Sequence, residues 1–506
     1  MRKQVVFPRG SLLNEKAKSK RIFSPQSNTM YFNKSMAFQP TIAAPHNLYL
    51  ESSPCPLSCQ TMVNISRPLV LGALAVPSSL AFVPGTPVKS APRGGSRSSL
   101  QATRAGSGVS FKGSTRVAAF DAVNQATKDI DGAKPSIAFV SATVASDIEE
   151  VRKSFAEKLP EGTPVHGITS SGSILTSDGA RQAAVGCLLL SADDGSFATS
   201  YDAEDGAKAA EALKAEMDDP QAIFMGATPG AEEGVLEALS ETFPGVPVYG
   251  GTAADDELSG AWSVFSSDAS SGTGVSLVGI GDAVKFGASM VGPYAPTEKT
   301  CRATKTEGRR VFEIDGEPAA DWVREWLGDE VEDQYKEGGL ILPQTAQRPI
   351  GIKQGKGLVK AVKSALPFLE SAEDEYVTCH LAALGGEEKW VEFFTPIPEG
   401  SVLTVMDSAD GPATGYASAL SDAYDAAKAQ GSLDGADPSA GLLVFCGGMA
   451  IAVGDQLDAG LTSEGFSSRV DGLPLMGMTC FGEQAHLPGS GANVQRNLSV
   501  GCALFG

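Results

Sequence analysis

Histidine is scarce in this chain of 506 residues: there are four, at positions 46, 166, 380 and 486. A catalytic or metal site built on imidazole has little to draw on. The eight Cys, at positions 55, 59, 187, 301, 379, 446, 480 and 502, form no Cys-x-x-Cys pair and no Cys/His spacing that suits zinc. Six of them sit mostly in apolar runs, as free core thiols usually do. Neither a disulfide scaffold nor a metal or cofactor is expected. Acidic residues are missing altogether between Glu51 and Asp121. Residues 1–110 carry 13 Lys and Arg against 2 Asp and Glu, which leaves 27 basic and 58 acidic residues and a formal net charge of −31 for the rest of the chain. A body so acidic repels phosphate backbones, so nucleic acid is not an expected partner.

What the chain does have is one pattern written three times. Thr163-Pro164-Val165-His166-Gly167-Ile168-Thr169-Ser170-Ser171-Gly172, Val246-Pro247-Val248-Tyr249-Gly250-Gly251-Thr252-Ala253-Ala254-Asp255-Asp256 and Leu473-Pro474-Leu475-Met476-Gly477-Met478-Thr479-Cys480-Phe481-Gly482-Glu483 share Pro, an aliphatic residue, Gly, then Thr and small or polar residues. Proline suits the first position of a strand, and Gly permits close backbone approach. Thr, Ser and Asp in the following turn bond nearby backbone groups. Each copy follows a strand-then-helix pattern and precedes another strand, which marks an internal repeat. Two readings stand: three separate tight strand exits, or turns that converge on one pocket.

The first 110 residues read as targeting sequence. Residues 1–61 lack sustained periodicity and read as disordered or as an over-extended start. From Met62, Arg67 precedes the apolar run from Pro68 to Val76, and Ser79-Leu80-Ala81 is an acceptable cleavage site. This is the form of a signal peptide, too short for a membrane span. Phe82-Val83-Pro84 and an acid-poor Ser/Arg/Lys segment follow. The combination resembles the bipartite leader, signal peptide plus transit peptide, of plastid proteins in algae with secondary plastids. That resemblance implies a plastid destination, with secretion as the alternative.

The body alternates strands and helices. Gly108–Phe111 opens a strand, residues 116–130 a helix facing inward with Val117, Phe120, Val123 and Ile130, and Pro135–Val140 a strand. Ser146-Asp147-Ile148-Glu149 reads as a capping box before a helix whose stripe is Ile148, Val151, Phe155 and Leu159. Val185–Leu190 is a continuous apolar strand. In the second copy, residues 204–217 form a helix and Ala222–Met225 a strand. Thr228-Pro229 starts a helix with Pro at its first position. Glu232 and Glu233 already satisfy that helix's dipole, so Gly226–Gly230 is a poor phosphate cradle. Ala261–Phe265 and Val275–Ile280 are expected to pair with each other. Residues 310–314 and the turn Asp315-Gly316 form a hairpin, and a helix begins at Pro318. Residues 328–375 are charged and broken, largely surface loop. Strands follow near 376–381, 390–394 and 402–406, then a helix over 415–429 and strands at 441–446 and 500–505.

The fold class is therefore α/β: layered, mixed sheets built from repeated strand-helix-strand-strand units, in two domains, 108–317 and 318–506, after a leader over 62–107. On the three repeated stretches, and on Phe312–Ala319, Pro396–Ser401, Phe445–Gly448 and above all Gly477–Glu483, the body resembles the FIST family, with a FIST N-terminal and a FIST C-terminal domain. The resemblance implies a sensory domain that binds small ligands, amino acids among them, and passes a signal to an attached or separate partner protein. Two departures matter. Met449 stands where the family tends to have Arg, and Arg496-Asn497-Leu498-Ser499 stands for His-Asn-x-Thr. No F-box, kinase or cyclase segment is seen, so no output domain is expected.

The candidate ligand site is Thr169, Ser170, Ser171, Gly250, Thr252, Asp255, Asp256, Cys446, Gly447, Thr479, Gly482, Glu483, Arg496 and Asn497. Glu483 is the foremost polar candidate, able to accept hydrogen bonds from a ligand ammonium group while Thr479, Thr252 or backbone amides hold the other end. Its alternative is capping a helix or pairing with Arg496. Asp255 and Asp256 read as turn or helix caps before they read as a carboxylate pair or metal site. Cys446 and Cys480 are weak nucleophile candidates, without an evident third orienting group. Three functions remain open: a small-ligand sensory and signal-transduction module, a protein-interaction scaffold in the plastid, and a Cys-dependent enzyme, the last least favoured.

Overall fold

Proline stands just before the third strand of each repeat, and its carbonyl is the first acceptor of the parallel ladder beside it. Pro164 takes the amide of Ala138, Pro247 that of Ile223 and Pro474 that of Gly441, all at 2.9 Å. The computed structural model describes residues 103–354, 375–408 and 412–506. The readings of 1–61 and of the leader to residue 102 lie outside them. All described residues belong to one unit of the chain, Arg93–Gly506.

The first repeat runs β1 (Arg104–Ser110), α1 (Thr115–Asp129), β2 (Ile137–Thr143), α2 (Ile148–Lys158), β3 (Val165–Ser170), the hairpin β4 (Ser173–Thr176) and β5 (Gly179–Gln182), and a return strand β6 (Val185–Ser191). The second repeats this as β7 (Phe197–Asp202), α3 (Gly206–Glu216), β8 (Ala222–Ala227), α4 (Glu232–Thr242), β9 (Val248–Thr252), the hairpin β10 (Val264–Phe265) and β11 (Ser270–Ser271), and β12 (Val275–Ile280). The third starts with β13 (Phe286–Val291) and is then interrupted by an inserted subdomain. That insert holds β14 (Ala295–Glu307), β15 (Arg310–Ile314), β16 (Glu317–Pro318), α5 (Ala319–Leu327), α6 (Glu332–Glu337), β17 (Gly339–Leu340), α7 (Leu342–Thr345), β18 (Ile350–Lys353), β19 (Tyr376–Cys379), β20 (Leu381–Leu384), β21 (Val391–Phe393) and β22 (Val402–Asp407), all in one nine-stranded sheet. The third repeat then resumes with α8 (Pro412–Lys428), β23 (Ala440–Cys446), α9 (Gly447–Val453), β24 (Leu475–Cys480), the hairpin β25 (Glu483–Leu487) and β26 (Ala492–Arg496), and β27 (Val500–Phe505).

Each repeat builds the same sheet. The return strand lies antiparallel between the first and second strands, and the third runs parallel to the second, giving β1-β6-β2-β3, β7-β12-β8-β9 and β13-β27-β23-β24. Each hairpin leaves its own sheet and extends another. β4–β5 joins β24, β10–β11 joins β3, and β25–β26 joins β9. The exchange is cyclic, so the body has a pseudo-threefold arrangement. A matching cycle of backbone bonds closes it: Ser171 N donates to Thr479 O (3.0 Å), Ala254 N to Thr169 O (3.0 Å) and Phe481 N to Thr252 O (3.1 Å). The three turns do converge, first of all on one another's backbone.

Apolar residues from all three sheets, among them Phe139, Phe224 and Phe505, fill a shared central core, while the helices cover separate outer cores. Because every such strand is covered on both faces, it reads as an unbroken apolar run.

Several local expectations change. The inward face of α1 is Ala118, Ala119, Ala122, Val123 and Ala126; Val117 is exposed and Phe120 lies beneath Arg116 and Lys158. Helix and strand sit so close that a Cβ on Gly106 or Gly108 would run into the carbonyls of Ala126 and Ala122, which leaves room for alanine only. Asp147, not Ser146, caps α2, accepting from Glu150 N at 3.1 Å. Pro229 precedes α4 rather than starting it, because Gly230 turns the chain at φ 91° and the helix opens at Glu232. Residues 261–265 and 275–280 do not pair: the short β10 joins β3, whereas β12 lies between β7 and β8. The stretch expected as loop after 328 contributes α6, α7 and strands β17 and β18, with 355–374 outside the described residues. Asp315 and Gly316, at φ 52° and 86°, do make the expected hairpin turn between β15 and β16.

Candidate functional site

Thr169, Thr252 and Thr479 occupy one position in the three repeats but do different work. Thr169 Oγ1 accepts from Ser263 N at 2.9 Å. Thr252 Oγ1 accepts from Gln484 Nε2 at 2.9 Å and donates to Glu232 Oε1 at 3.2 Å. Thr479 Oγ1 is buried with no hydrogen-bond partner. The exchanged hairpins differ in the same way. Beside the repeat glycines Gly167 and Gly477 stand Phe265 and Leu175, followed on the inner side by Val264 and Ile174; beside Gly250 and Gly251 stand Gln484 and Glu483. Two polar residues thus replace two apolar ones at a single corner of the pseudo-threefold core, and both are fully buried.

Glu483 Oε2 accepts from the amide of Ser499 at 3.2 Å and from its hydroxyl at 2.8 Å, while Oε1 has no partner. Burial pushes its carboxyl up to about 8, against the Ser499 bonds, the nearby Cys446 thiol and the charge of Arg496. Arg496 is its cross-strand neighbour on β26, also buried. Its guanidinium donates to Met290 O at 3.3 Å and Thr378 Oγ1 at 3.4 Å, and its Nε has no partner. Asn497 Oδ1 accepts from His380 N at 3.2 Å, and its Nδ2 is also without a partner. Glu483 therefore neither caps a helix nor forms an ion pair among the described residues.

On the other side of the hairpin the polar groups are linked. Gln484 Nε2 also donates to Gln495 Oε1 at 2.6 Å, leaving Gln484 Oε1 unpartnered. Glu232, pushed up by burial and pulled back by the Arg309 guanidinium, accepts from Arg309 at 3.1 Å. Gly482 lies against Gln495, whose amide would collide with any Cβ there. Gln495 also lines a cleft of ≈ 370 Å³ between α4 and the inserted sheet, with Leu236, Ile352, Val377, Thr395 and Val494.

The two cysteines face this corner. Cys446 stands just before Gly447 at the start of α9 and accepts from Leu498 N through Sγ at 3.1 Å. Cys480 Sγ lies over Gly251, where a Cβ would run into it. Burial first, then the Glu483 carboxyl, pushes both thiols well above the usual cysteine range, the opposite of what a nucleophile needs. The remaining candidates are spent on loops. Asp255 accepts from Ser259 N, Ser259 Oγ and Ala261 N, and Asp256 from Gly172 N at 2.6 Å. Ser170 Oγ accepts from Thr479 N and donates to Ser173 O, while Ser171 serves through its backbone. A Cβ on Gly250 would meet the Met225 backbone. Among the described residues no group of three His, Cys, Asp or Glu is placed to hold a metal, and no helix is long and apolar enough to cross a membrane.

Ser499, Gln484, Gln495 and Glu232 went unseen as site residues. Ser499 lay in the quoted Arg496–Ser499 stretch, and Gln484 follows Glu483 directly; Gln495 and Glu232 carry no signal short of the hairpin exchange.

The chain belongs to the FIST family: a FIST N domain matches residues 136–317 and a FIST C domain residues 319–486. It is also similar to the Uncharacterized protein MJ1623 of Methanocaldococcus jannaschii, with 27% identity over 185 residues, 36% of this chain and 33% of that one. The chain thus spans about a third of that relative's length.

Proposed function

We propose that the protein is a ligand-binding sensory module whose ligand is small, zwitterionic and amino-acid-like. One observation carries this reading: among the described residues, five buried polar atoms without partners lie on the C-terminal end of β24 and on the β25–β26 hairpin and its exit, with Glu483 and Arg496 on one face of the hairpin and Gln484 on the other. Two are donors, Arg496 Nε and Asn497 Nδ2; three are acceptors or donor-acceptors, Glu483 Oε1, Gln484 Oε1 and Thr479 Oγ1. Buried polar groups are normally paired, so such a cluster points to a partner from outside the chain. A carboxylate suits the Arg496 and Asn497 side, and an ammonium group the Glu483 and Thr479 side. The high-lying thiols speak against the enzyme reading.

The test is thermal-shift measurement of the full chain against the twenty amino acids. Ligand at one hundred times its dissociation constant stabilises a fold by about 2.7 kcal/mol. A rise for one compound that is lost in Glu483→Gln and Arg496→Met supports the reading; a rise that survives both substitutions removes the site. Delivery of this module to the plastid by the leader is part of the same proposal, checked by imaging the full chain carrying a C-terminal fluorescent tag.

A further inference from the structure

We infer that this site is proton-linked: in the empty protein at neutral pH Glu483 is a neutral carboxylic acid, and its proton leaves to solvent when a cationic ligand group settles beside Oε1. The inference rests on the ligand reading above and adds its control. A fully buried carboxylate without an ion pair is costly, and such a group takes up a proton instead. Glu483 has that environment. Among the described residues Ser499 gives both of its donors to Oε2, the weakly donating Cys446 thiol is the other side chain that reaches the carboxyl, Oε1 keeps no hydrogen-bond partner, and no basic nitrogen lies within ion-pair distance.

The groups facing Glu483 from each packed element point the same way. Cys446 from β23 and Cys480 from β24 are neutral thiols, each pushed well up by burial. Tyr294, which follows β13, is held neutral by burial and donates its hydroxyl to Ala346 O at 2.7 Å. Among the described residues Arg496 on β26 is the charge that acts on the carboxyl, and it is itself near Glu375 and directs NH1 to Met290 O and NH2 to Thr378 Oγ1. Its residual attraction on the carboxyl does not overcome burial. An ammonium group beside Oε1 supplies the missing counter-charge and removes the reason for holding the proton. Charge balances: one cation enters and one proton departs. Binding of a cation therefore strengthens with rising pH until Glu483 ionises in the empty protein as well.

The experiment follows the carbonyl stretch of protonated carboxylic acids by infrared difference spectroscopy on the full chain, with methylammonium chloride as the probe and its thermal-shift curve measured in parallel. Expected at pH 7 is a band that is missing from Glu483→Gln and disappears from the wild type at alkaline pH, which serves as a control independent of the variant. Methylammonium should remove the band, release about one proton per cation bound in weakly buffered solution, and bind about tenfold tighter for each unit of pH rise below the carboxyl's own titration. Absence of the band from the empty wild type at pH 7 overturns the inference. A midpoint rise with the band intact overturns the proton link and leaves the ligand reading standing. No midpoint rise at any methylammonium concentration removes cation binding, and with it the exchange.

Discussion

Ser499 gives both of its donors, amide and hydroxyl, to the same oxygen of Glu483, and among the described residues the other oxygen keeps no hydrogen-bond partner. Ser499 also returns its own carbonyl to Cys446 N, at 3.1 Å, the position where the other repeats bond Thr143 N to Ala184 O and Thr228 N to Gly274 O. A backbone contact common to three repeats has thus acquired a side chain that fixes a buried carboxyl in one of them. Ser499→Ala removes the 2.8 Å donor. The cost expected from urea unfolding is roughly 1–3 kcal/mol, because the acceptor stays buried.

The pH dependence of stability carries the sign of the Glu483 environment. Its folded value is raised to about 8, so the folded chain holds the proton more tightly than the unfolded chain. The resulting stabilisation is full below the unfolded carboxylate value and is lost as pH rises through about 8. His380 and His166, lowered by burial to about 4 and about 3, act in the opposite sense. Their contribution is present above the unfolded histidine value and is lost as pH falls from there through about 4 and about 3. A stability maximum on the mildly acidic side of neutrality is expected, and Glu483→Gln should flatten the alkaline limb by on the order of a few kcal/mol. Chemical unfolding at a series of pH values for both proteins measures it.

Glu483 stands where the equivalent corners have Val264 and Ile174. Replacing Glu483 by Val together with Ser499 by Ala is therefore expected to restore an apolar corner and raise stability by roughly 1 kcal/mol or more, since a buried polar group is exchanged for packed surface. The same double variant should bind no ligand. Unfolding free energies and thermal shifts on one preparation check both halves.

The buried thiols give a fourth expectation. Cys446 and Cys480 should react with a thiol reagent only as fast as the body opens, and none of the six described Cys should label far ahead of the other five in the native protein. Mass mapping of early labelling at neutral pH tests this; rapid selective labelling of Cys446 would revive the enzyme reading.

Much of this fold was legible because its strands announce themselves. Pro164, Pro247 and Pro474 mark parallel strands in all three repeats, and the apolar runs 185–190 and 500–505 are return strands. What stayed hidden was non-local. A two-residue strand such as Val264–Phe265 has no periodicity, and nothing near it tells that its partners are Gly167 and Ile168. The Ala face of α1 was hidden for a related reason, since close packing on Gly106 and Gly108 selects small residues where hydropathy favours Val117 and Phe120. Glu483 stood out as the polar residue that closes the Gly477–Glu483 stretch, and Arg496 as a departure from His-Asn-x-Thr. Asp255 and Asp256 stood in the same candidate site but read first as turn or helix caps, and the loop amides they accept from set them apart from Glu483.

The most direct test of the central claim is a calorimetric titration of the full chain with whichever amino acid gives the largest thermal shift, alongside Glu483→Gln and Arg496→Met. Saturable one-to-one binding to the wild type, weakened at least tenfold in each variant while both variants stay folded, is the expected result. Unchanged affinity in both variants, or no amino acid that binds at all, would contradict it.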